Sequence, residues 1–227
     1  MECILPFTKM QGAGNDYIYL DRMDPLAPPM PISPSELARR MSPRHTSVGA
    51  DGLVLILPSE VADARMRMFN ADGSEGMMCG NAIRCVGKYL YDRAYCLKTD
   101  PTIETASGIK HLKLHPDAQG KIASVTVDMG VASWAPEDIP LSLSVPLRDT
   151  PLSVEGMTYR ITALSVGNPH CVIFTEDILS IDPAEPGRAL EQHPFFPEGV
   201  NVEFVQLIND HTLQMRVWER GSGETYD

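Results

Sequence analysis

The sequence predicts a duplicated α+β fold built from two equivalent halves, and three observations predict it. Short runs of alternating apolar residues, the mark of half-buried strands, recur along the 227 residues. Two segments with helical spacing stand among them. The chain also repeats itself: Met66-Arg67-Met68-Phe69 with Glu75 is answered by Met215-Arg216-Val217-Trp218 with Glu224, 149 residues later. Gly14-Asn15 recurs as Gly167-Asn168, and Gly49-Ala50-Asp51 as Gly199-Val200-Asn201, at offsets of 153 and 150. Each match alone is weak, but three in one order at nearly constant spacing are what a duplicated half produces.

Residues 16–20, 53–57, 65–69, 111–114, 124–127, 171–174, 202–206 and 212–218 read as strands. Lys9 to Asp16 is a Gly-rich turn between strands; it lacks the GxGxxG spacing and no helix follows, so it is not a dinucleotide fingerprint. Ser33-Pro34-Ser35-Glu36 offers an N-cap, a proline at the first helical position and a glutamate three after the cap. A helix therefore starts there and runs to about Met41. A second helix covers about 82–95, with Ile83, Val86, Gly87, Leu90 and Ala94 on one stripe. The Pro, Asp and Gly of 115–120 mark the expected boundary between an N-terminal half, 1–118, and a C-terminal half, 119–227. Segment 135–151 reads as irregular connection with strand-like pieces, and 182–197 as a long loop.

A hydrophobic fraction of 43% and a charged fraction of 22% are those of an ordinary soluble globular protein. No run of eighteen apolar residues is present, so no membrane span is expected. The N-terminus has neither the basic nor the apolar region of a secretory signal, which predicts a cytoplasmic protein. A net charge of −11 argues against nucleic acid, whose binding needs clustered Lys and Arg, but leaves room for an anionic small substrate at a locally positive site. The five cysteines, at 3, 79, 85, 96 and 171, show no CxxC pair and no Cys/His spacing suited to zinc, so they read as free thiols and no metal is expected.

Chemistry gathers before the second helix. Asn70-Ala71-Asp72-Gly73-Ser74 is a strong turn that leads into Cys79-Gly80-Asn81 at a helix N-terminus. Unsatisfied backbone N–H groups there can bind a carboxylate, Gly80 lets a ligand approach, and a thiol has its pKa drawn from about 8.5 toward neutrality, where it can act as a base. An N-capping turn with a buried cysteine fits this segment equally well. Asn15 is either a turn residue in a left-handed conformation or an amide aimed at a ligand. Gly167-Asn168-Pro169-His170 offers an amide and an imidazole, and a lone histidine is more often structural. Glu219-Arg220 at a strand end is either an exposed ion pair or a receptor in which Arg holds a carboxylate and Glu an ammonium. Taken together, these groups suit an amino acid. No lysine stands in a pyridoxal phosphate setting and no P-loop is present. Two thiols on opposite sides of a Cα would suit stereoinversion, and a duplicated fold supplies that symmetry.

The motifs from Phe7 to Asp16, Asp51-Gly52, Phe69 to Ser74, Met78 to Asn81, Gly167 to His170, Gly199 to Val202 and Glu219 to Thr225 resemble the diaminopimelate epimerase family, in the family's order over nearly the whole chain. The resemblance implies two pseudo-symmetric halves, each a mixed sheet curled round a central helix. It also implies cofactor-independent, PLP-independent interconversion of LL- and meso-diaminopimelate for lysine and peptidoglycan synthesis, and a possible homodimer. By position, Cys79 is then the first acid/base thiol, tuned with its partner by His170 and Glu219. Asn15, Asn70, Asn168, Asn201, Glu219 and Arg220 contact the substrate, and Gly80-Asn81 cradles its carboxylate. Cys171 and Cys85 match no catalytic position, and Ala82 stands where the family usually has glycine.

In the family, Gly-Glu-Thr is followed by two residues and then Cys-Gly-Thr-Gly, opening the central helix of the second half. The counterpart of Cys79 would fall at position 228, just past Asp227. The expectation is accordingly an incomplete second half without its central helix, and an inactive chain as it stands. Three readings compete: an epimerase whose gene continues past that point (a UGA codon read as selenocysteine being one variant), a non-catalytic relic that at most binds diaminopimelate, and a related proline-type racemase.

Overall fold

The computed structural model describes residues 4–221 and 223–225. Cys3, Ser222, Tyr226 and Asp227 lie outside the described residues. The chain divides into two compact units, Met1–Met129 and Gly130–Asp227. The loop at 115–120, expected to be the boundary at 118/119, is instead a hairpin turn inside the first unit.

The first unit contains β1 (Thr8–Gly12), β2 (Asn15–Asp21), α1 (Pro34–Met41), β3 (Gly52–Leu57), β4 (Ala64–Asn70), β5 (Glu75–Gly76), α2 (Gly80–Asp92), β6 (Thr102–Thr105), β7 (Gly108–Pro116) and β8 (Ile122–Val127). Its sheet runs β1-β2-β3-β4-β6-β7-β8, with β5 paired to β4. The second unit contains β9 (Thr150–Val154), β10 (Met157–Ser165), β11 (Pro169–Phe174), α3 (Ala184–Glu191), β12 (Asn201–Asn209), β13 (Thr212–Glu219) and β14 (Gly223–Thr225). These strands form a sheet in the order β14-β13-β12-β11-β10-β9.

The duplication is visible in the topology. β1 to β5 and β10 to β14 repeat one pattern: an antiparallel pair, a parallel pair, then two antiparallel pairs. A parallel pair needs a crossover, and α1 and α3 occupy equivalent places in the two crossovers. Residues 182–197, expected to be a loop, therefore carry a helix. Its proline and glycine content hides it, but Pro186 lies in the first turn, where the missing N–H costs no helical bond. Gly187 faces Trp218 so closely that a Cβ would stand 2.6 Å from the Trp218 side chain. Strands β5, β6, β9 and β14 were not expected either.

An ion pair repeats as well. Arg67 Nε donates to Glu75 Oε1 at 2.7 Å, and Arg216 Nε to Glu224 Oε1 at 2.8 Å, which explains the 149-residue offset. In the sheets, Leu53 faces Phe69 as Val202 faces Trp218. The offset is thus 149 through the third and fourth strands, and the match of Asp51 to Asn201 is out of register by one: Asn201 holds the place of Gly52.

Local signals account for the helices. Ser33 accepts from Glu36 N at 3.3 Å and caps α1. Cys79 caps α2, which begins two residues before the expected start and ends earlier, because Ala94 turns to φ 58°. The buried stripe of α2 (Ile83, Val86 and Leu90 among others) packs on Tyr19, Ile56, Met66 and Leu112. Each such aliphatic side chain contributes about 1.5–3 kcal/mol on burial. The opposite face of the same sheet packs on Leu37 and Ala38 of α1. In the second unit the core lies on one side of the sheet, with Val202, Phe204 and Ile161 against Leu190 of α3. The other side carries exposed Phe174, Leu207, Leu213 and Met215. Among the described residues no helix is long and apolar enough to cross a membrane.

Candidate functional site

In the first unit the expected residues gather at one end of the sheet, where β2 and β3 begin and β4 ends. The β1–β2 hairpin turns through Ala13 and Gly14, both at positive φ (52° and 85°), as a two-residue reversal requires. Asn15 follows, nearly buried. Its Nδ2 donates to Asp51 Oδ2 at 3.0 Å. A carboxylate only accepts, so this bond fixes the amide and turns Oδ1 the other way. There Cys79 Sγ donates to Asn15 Oδ1 at 3.6 Å. Cys79 also accepts from Ala82 N at 3.5 Å, as the N-cap of α2. Asn15 does not adopt the left-handed conformation that one expected reading gave it, and its amide oxygen faces the Cys79 thiol.

Asp51 is held in turn. Arg44 Nη2 lies 2.5 Å from Asp51 Oδ1 and 2.6 Å from Asp16 Oδ1, and Lys9 Nζ lies 2.9 Å from Asp16 Oδ2. A chain of contacts runs from Arg44 through Asp51 and Asn15 to the sulfur. Burial opposes ionisation of Asp16, but Arg44 and Lys9 outweigh it and hold the carboxyl at about 2, below its ordinary 3.8. Because the folded value is lowered, the stability this group contributes is fully present above about pH 4 and is lost as pH falls toward about 2. Arg44→Ala is expected to lower the urea midpoint at neutral pH and to flatten its acid dependence between about pH 5 and 2. An unchanged acid slope in the variant would refute that account of the cluster.

Gly80 and Asn81 open α2. A Cβ on Gly80 would meet nothing nearer than Met129 Sδ at 3.7 Å, so the helix start is open to a ligand. Arg84 Nη2 donates to Asn81 Oδ1 at 2.5 Å. The hairpin presses on this turn: a Cβ on Gly12 would stand 2.9 Å from Asn81 O. Asn70, exposed at the end of β4, pairs with Gly52 across the sheet and donates from Nδ2 to Ser74 Oγ at 3.0 Å. Cys85 is buried, and burial pushes its thiol up.

In the second unit the equivalent end of the sheet collects His170, Asn201, Glu219 and Arg220. His170 pairs with Asn201 across the parallel strands, as Tyr17 pairs with Gly52. Its Nδ1 stands 2.6 Å from Glu203 Oε1, and its Nε2 stands 2.9 Å from Asn168 Oδ1. Asn201, nearly buried, accepts from Arg220 N at 2.9 Å. Glu219 ends β13, where it takes the position that Asn70 has in the first unit. Arg220 Nη1 donates to Glu198 O at 3.1 Å, one of five donors that guanidinium carries. Glu191 braces the turn that follows β13, accepting from Trp218 Nε1 at 2.7 Å and from Gly221 N at 2.8 Å. Cys171 is fully buried and its thiol is pushed up by that burial, with Glu203 adding to the effect, as suits a packing residue.

Sequence reasoning gave no role to Arg44, Glu191 or Glu203, and saw Asp51 only as part of a motif. Glu203 had a signal: it is a lone acid in the apolar run Val202 to Val205, at a position with 6% exposure. Its Oε2 is buried without a hydrogen-bond partner among the described residues, a loss of about 1–3 kcal/mol or more for a charged group. Among the described residues no three His, Cys, Asp or Glu side chains come together to hold a metal ion.

The fold recurs in solved structures. A probable proline racemase from Agrobacterium radiobacter aligns over 97% of this chain and 72% of its own, at TM-score 0.69 and 16% identity. A PhzF-family phenazine biosynthesis protein from Bacillus anthracis aligns at TM-score 0.60 and 18% identity, over 97% of this chain and 74% of its own. The chain thus shares its α+β fold with these proteins. Sequence carries the assignment further. The family model for diaminopimelate epimerase matches residues 7–135 and 162–227. Diaminopimelate epimerases from Phocaeicola vulgatus and Desulfovibrio desulfuricans are 51% and 49% identical to it, each over 99% of this chain and 79% of their own length. A third, from Methanococcus maripaludis, is 48% identical over 97% of the chain and 78% of its own length. The chain belongs to the diaminopimelate epimerase family.

Proposed function

We propose that the protein is an isomerase that inverts an α-carbon of 2,6-diaminopimelate, interconverting the LL and meso forms without a cofactor. The observation that carries this reading is the pair of contacts on Cys79. The Ala82 N–H at 3.5 Å stabilises a thiolate, whereas Asn15 Oδ1 at 3.6 Å accepts from the thiol. A group that must lose a proton and regain it needs both forms within reach, and one contact serves each. In this reading Cys79 is one of two proton carriers and lies on one face of the Cα. Gly80 and Asn81 receive the α-carboxylate at the start of α2, where N–H groups and the helix dipole favour an anion. Asn15, Asn70, Asn168, Asn201, Glu219 and Arg220 hold the remaining polar groups, and His170 and Glu219 set the charge around the reacting thiols. A cytoplasmic location and a homodimer accompany the reading on the strength of the family resemblance.

The test is α-proton exchange. Incubated in D₂O with LL- or meso-diaminopimelate, the protein is expected to introduce deuterium at the α-carbon without added pyridoxal phosphate or metal, if only slowly and in the isomer whose α-proton faces Cys79. Absence of α-deuterium in both isomers would overturn the reading. L-Proline serves as the control for the alternative suggested by the shared fold: exchange of proline but not of diaminopimelate would make the protein a proline-type racemase.

A further inference from the structure

Asp51 lies just before β3, where the ladder with β2 begins, and it clasps the main chain of Asp16. Its N–H donates to Asp16 O at 2.8 Å, and its Oδ2 accepts from Asp16 N at 2.9 Å. The same Oδ2 meets Asn15 Nδ2 at 3.0 Å, while Oδ1 takes Arg44 Nη2 at 2.5 Å. A backbone N–H and a guanidinium can only donate, so both carboxylate oxygens already act as acceptors. The end of Asn15 turned to Oδ2 is therefore its NH₂, because an amide oxygen there would set acceptor against acceptor. That choice leaves Asn15 Oδ1 for the Cys79 thiol, 3.6 Å away.

The second unit supplies a comparison. Tyr17 pairs with Gly52 as His170 pairs with Asn201, so Asn168, Pro169 and Val200 hold the places of Asn15, Asp16 and Asp51. Pro169 has no N–H to satisfy, and the position of Asp51 is taken by a fully buried valine. Asn168 is met instead by His170, whose Nε2 stands 2.9 Å from its Oδ1. The carboxylate is thus not part of the repeated frame. It belongs to the unit in which the asparagine touches a cysteine.

We propose that Asp51 is a positioning residue that fixes which end of the Asn15 amide faces Cys79, with Arg44 anchoring its other oxygen. Held in this way, the sulfur sits between Asn15 Oδ1 and the Ala82 N–H. Turned by half a rotation, the amide would offer the sulfur an N–H and lose its bond to Asp51. The part of Asp51 in the reaction rests on the epimerase reading, whereas the orientation of the amide does not.

An oxygen shared by two donors draws their hydrogens together. In ¹⁵N-labelled protein the Asn15 NH₂, assigned by its loss in Asn15→Asp, is expected to show a nuclear Overhauser contact with the Asp16 backbone N–H. Asp51→Ala removes the acceptor, so the NH₂ is expected to lose that contact and gain one to the Cys79 β-hydrogens. Its α-deuterium exchange should fall by about 10–100-fold, the effect of a reacting group misplaced by about 1 Å. Asp51→Asn separates orientation from charge. The Asp16 N–H cannot turn round, so the new amide oxygen takes its side and the new NH₂ faces Arg44, an exposed side chain free to swing away. This variant is expected to keep the contact to Asp16 and most of the exchange. A wild-type NH₂ that contacts Cys79 rather than Asp16 overturns the proposal, as does loss of the Asp16 contact in Asp51→Asn. These two spectra decide the orientation even if Asp51→Ala does not fold. An NH₂ that stays on Asp16 in a folded Asp51→Ala also overturns it. A rotated amide with unchanged exchange removes Asp51 from the reaction and leaves the epimerase reading standing. The expected contacts in a wild type that exchanges neither isomer remove that reading and leave the orienting role of Asp51 in place.

Discussion

Cys79→Ser is expected to be inactive and at least as stable as the wild type. A serine hydroxyl has far too high a pKa to serve as the base, so α-deuterium exchange should fall by about 10³-fold or more, in the range general acid–base groups contribute. Stability should move the other way. The side chain of residue 79 caps α2 by accepting from Ala82 N, and serine is among the preferred N-cap residues, whereas a sulfur at 3.5 Å is a weak acceptor. Cys79→Ala removes the cap as well as the base, so it should lose the same activity and about 1 kcal/mol of stability. The measurement pairs deuterium incorporation with urea unfolding for both variants. More than a tenth of the exchange remaining in Cys79→Ser would remove the thiol from the chemistry.

The parts of the fold that were legible in the sequence are those set by local signals. The Ser33 cap and Pro34 locate α1, and the strands at 53–57 and 65–69 fall within β3 and β4. The 149-residue repeat was visible because it preserves a cross-strand ion pair, Arg67–Glu75 and Arg216–Glu224, in which both side chains matter. What escaped was decided by tertiary context. Pro186 and Gly187 make α3 a poor helix by propensity, yet Gly187 is what lets the helix lie against Trp218. The repeat itself could have revealed α3, since a crossover helix in one half predicts one in the other. Of the proposed site, Asn15, Cys79 and His170 were readable from local motifs. Their supports were not. Asp51 lies 36 residues from Asn15, and Glu203 lies 33 from His170, so only folding brings them together.

Gly52→Ala is expected to be the most damaging single methyl group in the first unit. Gly52 opens β3 between β2 and β4, paired with Tyr17 on one side and Asn70 on the other. A Cβ there would stand 2.2 Å from Phe69 O and 3.0 Å from Tyr17 Cε1. The first atom is backbone in a central strand, so relief requires β3 and β4 to part. Overpacking of this kind costs typically about 1–3 kcal/mol, and the backbone clash puts this case at or above the upper end. The consequence reaches the site by a short route. Asp51 precedes Gly52 and holds both Asn15 Nδ2 and Asp16 N, while Asn70 faces Gly52 and leads into the turn before Cys79. Parting the strands therefore moves Asn15 relative to the sulfur even in molecules that remain folded. The variant should show a urea midpoint lowered in proportion to that loss and, under conditions where it is still folded, exchange reduced by a further factor of about 10–100 from a misplacement near 1 Å. In the second unit Asn201 occupies the equivalent place, where it pairs with His170 across the parallel strands and its side chain accepts from Arg220 N. Asn201→Ala should accordingly cost only about 1–2 kcal/mol, the loss of one buried hydrogen bond. A Gly52→Ala midpoint within experimental error of the wild type would show that the strands yield without cost, and with it the link from this glycine to the thiol would fail.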